Sequence, residues 1–179
     1  MQSAMLLMCV ASLFSLAHTA RPSANPPPSG KPLPCTEPAY RQFDFWIGDW
    51  DVLEMEHPTT VAAHARVELI LNGCVLHEVY EDPQGHRGES FSLYDVTRNT
   101  WHQSWVNDSG YLLTIEGHLQ GISMLLAGVD HLPNGKLRQV RGEWRPDGQG
   151  AREVAWRSTD GGASWVTWFD LSFRPHVAN

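Results

Sequence analysis

The sequence predicts an all-β domain, a single antiparallel up-and-down β-barrel of about ten strands, and three observations carry that prediction. Beyond Trp50, short runs rich in branched and aromatic residues alternate with turn signals at regular spacing. The signals are Asn72-Gly73, Pro83-Gln84-Gly85, Asp108-Ser109-Gly110, Gln120-Gly121, Asn134-Gly135, Asp147-Gly148 and Gly161-Gly162. Asn-Gly and Asp-Gly supply the positive backbone angles of tight hairpins. Third, no window of a dozen residues carries a period of 3.6. Strands joined by hairpins either close or stack as two sheets, and closure is expected because it removes exposed edges.

In order, the predicted strands are Asp49–Glu56, Ala62–Leu71, Cys74–Glu81, Glu89–Asp95, Thr100–Asn107, Tyr111–Gly117, Ser123–Val129, Lys136–Arg145, Glu153–Ser158 and Trp165–Arg174. Side chains alternate between the two faces of a strand. Trp101, Gln103 and Trp105 therefore share a face, which the two indoles assign to the inside. The Gln103 amide enters an apolar space and needs partners, either neighbours in a Gln–Tyr–Glu network or a bound molecule. The same alternation groups Cys74, Leu76, Glu78 and Tyr80, then Ser90, Ser92 and Tyr94, then Val154, Trp156 and Ser158.

The segment Phe43-Asp44-Phe45-Trp46-Ile47-Gly48-Asp49-Trp50-Asp51-Val52 crowds aromatics into a turn and then opens a strand at Gly48. Gly48 offers a backbone free to turn from coil into strand, and Trp50 offers a plate that could close a barrel floor. This segment resembles the opening of lipocalin-type (calycin) barrels, where Gly-x-Trp follows a short 3₁₀ turn. More narrowly it is similar to a bacterial family of small lipocalin-like domains of unknown function. Further shared features are Gly73-Cys74, Tyr94-Asp95, the Trp101–Trp105 strand and Asp160-Gly161-Gly162, so the resemblance spans about Phe43 to Arg174. It implies that Arg174, near the end of the last strand, lies across Trp50 as a cation–π lid on one end of the barrel. Nitrobindin-like barrels of the same size hold haem through a histidine near the C-terminus, and His176 is the candidate here.

Ser158-Thr159-Asp160-Gly161-Gly162-Ala163-Ser164-Trp165 fits the Asp-box pattern of sialidase propellers. One copy does not make a propeller, so Asp160 is expected to cap a hairpin turn.

The first seventeen residues carry no charged side chain, and Ala4–Leu16 is apolar but shorter than the roughly 20 residues that span a bilayer. This predicts a secretory signal at 1–17, although its start lacks a basic residue. Residues 18–39 form a proline-rich linker, the barrel occupies 40–175, and 176–179 is a tail. Removal of the signal leaves Cys35 and Cys74, which an oxidising compartment would bridge. The expected location is secreted or periplasmic.

A net charge of −7 without a Lys/Arg cluster argues against nucleic acid and against anionic lipid, and no amphipathic membrane helix is present. Nine histidines invite a metal, yet none has helical zinc spacing or a cysteine cluster beside it, so no metal site is expected. No Gly-x-Ser-x-Gly elbow and no phosphate loop occur. The expected partner is a small apolar molecule in a cavity lined by Trp101, Gln103, Trp105, Trp156, Tyr80, Glu78 and Tyr94. Two alternatives stay open. Glu78 could serve as a general acid or base with its pKa raised by burial, or the aromatics could simply fill the interior.

Overall fold

The computed structural model describes residues 35–177. The expected signal at 1–17 and the linker as far as residue 34 lie outside the described residues. Ten strands follow in order: β1 Gly48–Glu54, β2 Val61–Ile70, β3 Val75–Glu81, β4 Arg87–Asp95, β5 Thr100–Asn107, β6 Leu112–Gln120, β7 Ser123–His131, β8 Leu137–Asp147, β9 Gly150–Ser158 and β10 Val166–Pro175. Each pairs antiparallel with the next, and β10 returns to β1, which closes the barrel. Among the described residues no strand edge is left to recruit another chain. Among the described residues no helix is long and apolar enough to cross a membrane.

Hairpin chemistry places the strand ends. Gly85, Gly110, Gly121, Gly135, Gly148 and Gly161 all hold positive φ at the predicted turns. Asp147 pairs with Gly150 across a two-residue loop, so β8 and β9 run up to their turn and β9 begins before the expected Glu153. Similarly, β6 continues to Gln120, past the expected Gly117.

The turn after β2 departs most from expectation. Leu71, Asn72 and Gly73 all lie at positive φ and make a 3₁₀ turn, so Cys74 precedes β3 instead of opening it. Cys74 is bridged to Cys35, with Cα atoms 5.1 Å apart and a sequence separation of 39. In the chain-entropy model a loop of that length stabilises the fold by about 4 kcal/mol. The Arg41 guanidinium also donates to the Gly73 carbonyl, so the leader is fastened twice at one place.

That leader plugs one end of the barrel. Two 3₁₀ turns, Pro38–Arg41 and Asp44–Trp46, bracket Phe43. Phe43 stacks on Trp46 at 5.2 Å between centroids and meets Trp101 and Trp144 edge-on at 5.6 and 5.7 Å. Trp46 also meets Phe173 edge-on. Such pairs are worth about 0.5–1.5 kcal/mol each beyond their burial. The floor thus belongs to Phe43 and Trp46, while Trp50, expected to form it, packs into the same cluster and donates from Nε1 to the Trp46 carbonyl at 3.0 Å.

Gly48 is required for a reason other than the one expected. Its φ is not positive; a Cβ there would run into the indole of Trp50. Gly88 lies in the same way beneath Trp105, and Gly142 beneath Trp144. Each bare glycine lets a large ring lie flat against the inner wall.

Arg174 does not cover Trp50. It pairs with Asp51 across the β1–β10 seam and is exposed, whereas Trp50 is buried. Strand alternation explains the difference, because Phe173 takes the inward position. Among the described residues the cation–π contacts are Arg138 over Trp168 and Arg141 over both Trp156 and Trp165.

Asp160 does cap its hairpin. It accepts from the Ser158 hydroxyl at 2.6 Å and from the Ser164 amide at 2.9 Å, bonds that hold its carboxyl well below the usual range. Trp165 closes the turn by donating to the Gly162 carbonyl.

Candidate ligand cavity

Above the aromatic floor the barrel encloses a cavity of about 360 Å³. Alternation along each strand builds its wall. β3 contributes Glu78 and Tyr80, β5 contributes Gln103 and Trp105, and β9 contributes Glu153 and Ala155. Trp46 and Trp144 form the bottom, and Glu54, Asn107 and Tyr111 also line it. A register shift in β10 between Thr167 and Phe169 lets the adjacent residues Trp168 and Phe169 both reach the cavity.

The polar groups on β3 and β5 are held by β4. Glu78 stands opposite Ser90 in the register and accepts its hydroxyl proton at 2.8 Å. Gln103 stands opposite Ser92 and donates to it from Nε2 at 3.0 Å. Each thus has its own serine, in place of a shared Gln–Tyr–Glu network. Tyr80 meets Trp105 edge-on at 5.9 Å.

Burial shifts these acids strongly. Glu78 is 5% exposed, and desolvation pushes its carboxyl up to about 7 despite the Ser90 hydrogen bond. Glu153 is raised well above the usual range, first by burial and then by the charge of Glu78. Its residue surface is only half-buried, but its carboxyl end lies within the barrel. The Tyr80 hydroxyl is pushed up to about 12 by burial and by the surrounding carboxylates Glu78, Asp82, Glu153 and Glu54.

Four of the expected wall residues, Glu78, Tyr80, Gln103 and Trp105, meet at this cavity. Three do not. Trp101 lies in the floor, donating to Gln42 Oε1 at 3.0 Å and packing on Phe43. Tyr94 sits at the same closed end, against Tyr40 and Trp101, with its hydroxyl donating to Asn99. Trp156 faces outward beneath the Arg141 guanidinium. The interior at β9 is already filled by Trp46, Trp144 and Phe173, so the small Ala151 and Ala155 turn inward and carry Glu153 with them. Sequence reasoning missed Glu153 because the bulk of Trp156 outweighed the flanking alanines.

His176 lies past β10 on the outer wall, 2.8 Å from Asp51 Oδ1 and edge-on to His64. Spacing suggested no metal site, yet the fold brings one ligand atom each of Asp51, His64 and His176 within 4.8 Å of one another. His77 and His102 are separated by β4 and engage Glu89 and Glu116 on the outer face.

Compared with protein families and with curated proteins, the chain matches none.

Proposed function

We propose that this protein binds a small, largely apolar molecule within the barrel, in a secreted or periplasmic setting. The observation that carries the reading is the cavity of about 360 Å³, walled by aromatic rings and punctuated by a few anchored polar groups. Apolar walls with sparse, fixed polar groups are the usual make-up of a ligand pocket, and this volume falls at the small end of the common range. The Cys35–Cys74 bridge supports an oxidising compartment. A lipocalin-like relationship fits the closed antiparallel barrel with its aromatic opening segment.

The test is native mass spectrometry of protein purified from its own host, with an Ala155→Trp variant as control. A retained mass on the wild type that the filled variant lacks supports the reading. Absence of any retained mass, together with unchanged tryptophan fluorescence against a panel of small aromatics, overturns it.

A second reading, a lipocalin-shaped isomerase or cyclase, is favoured by Glu78, whose carboxyl titrates near neutrality inside an apolar enclosure. Glu78→Gln separates the two: turnover of a candidate substrate is abolished in an enzyme, whereas a binding protein only changes affinity.

A further inference from the structure

The cavity's charge is one-sided. Its lining includes three glutamates, Glu54, Glu78 and Glu153, and among the described residues no Lys, Arg or His. Arg138, which stacks over Trp168, is ion-paired to the buried Asp130. Glu78 on β3 and Glu153 on β9 approach from opposite walls, since β10, β1 and β2 lie between their strands on the shorter way round. Other groups facing them are Tyr80 of β3, Ser90 of β4, Gln103 of β5 and Tyr111 ahead of β6, none of which brings a positive charge. Around the same space stand the rings of Trp46, Tyr80, Trp105 and Trp144, whose faces attract cations.

We infer that the ligand is an organic ammonium, with its charged nitrogen lodged between Glu78 and Glu153 and its apolar part against the tryptophans. This rests on the binding reading above and names the ligand class for that same cavity. Two carboxylates in one desolvated space repel each other and stay partly protonated when alone. A cation between them lets both ionise, so binding is accompanied by proton release. A carboxylate or phosphate ligand would meet only like charge. The Trp144 indole N–H faces Glu153 and favours its ionised form, and Trp46 Nε1 has no hydrogen-bond partner, so it can serve an acceptor on the ligand.

The experiment compares three probes of one shape by calorimetry on the full disulfide-bonded protein: 2-phenylethylamine, 2-phenylethanol and 3-phenylpropionate. The inference expects the amine to bind at least about tenfold more tightly than the alcohol, with the carboxylate weakest. Amine affinity should rise about tenfold from about pH 5.5 to about pH 8, with proton release measurable in buffers of different ionisation enthalpy. Glu78→Gln and Glu153→Gln should remove the preference for the amine over the alcohol, with cooperative thermal unfolding of each variant showing that it remains folded. Equal binding of alcohol and amine, or a preference unchanged in both variants, overturns the ammonium assignment and leaves the cavity a neutral site. Binding of none of the three, with no retained mass from the host, overturns the binding reading as well.

Discussion

The two ends of this barrel use the same residue types to opposite purposes. At the closed end Phe43, Trp46, Trp50 and Trp101 fill the bore with ring on ring, and Gln42 and the Trp46 carbonyl take up two of the indole N–H groups. Toward the other end Tyr80, Trp105 and Trp168 line a space instead of filling it, and among the described residues no Lys, Arg or His lines it beside the acids. Aromatic content alone therefore does not distinguish a core from a binding site. What distinguishes them is whether the rings pack on one another or stand back around a space that holds buried acids.

The comparison breaks most forcefully at the floor. Phe43 is fully buried against four aromatic partners, so Phe43→Ala should cost about 5 kcal/mol, the upper part of the range for such truncations. Denaturant unfolding followed by tryptophan fluorescence measures this. A loss below about 1 kcal/mol would mean that the leader does not plug the barrel.

The cavity end should respond to pH in a direction opposite to that of an ordinary salt-bridged carboxylate. Glu78 titrates at about 7 in the folded chain against 4.5 ordinarily, so between those values the native form keeps a proton that the unfolded chain has released. The unliganded protein should therefore be most stable below about pH 4.5, as far as this group is concerned, and lose stability as pH rises through 7. The loss attributable to Glu78 is about 3 kcal/mol at most. Glu153 acts with the same sign. Thermal unfolding of wild type and Glu78→Gln across this range should show a shallower decline in the variant. Parallel curves would mean that Glu78 is not enclosed.

The outer wall should matter least. Trp156→Ala removes a ring packed under Arg141 on the outside, at an expected cost of about 1 kcal/mol and with no change in ligand retention. Loss of the bound molecule in this variant would return Trp156 to the interior and reverse the facing of β9.

Much of this was legible along the chain. Glycines at hairpin positions marked where strands turn, and with no helical period anywhere the strands could only pair with one another. The sharing of a face by Trp101, Gln103 and Trp105 followed from the pleat, as did that of Glu78 with Tyr80. The site itself was half legible. Alternation relates neighbours within a strand but does not say which of its faces points inward, and bulk is a poor guide when a distant segment already occupies the centre.

The sequence by itself determined the number of strands, their up-and-down order and the expected closure of the sheet, because these depend on local backbone preference. Only the tertiary structure decided that Phe43 and Trp46 take the floor, that Trp156 is turned out, and that Glu153 is brought across from Glu78. Those outcomes depend on volume: once the leader's rings fill the bore, each wall must present whatever still fits, and a pair of alanines with a glutamate between them fits where an indole does not.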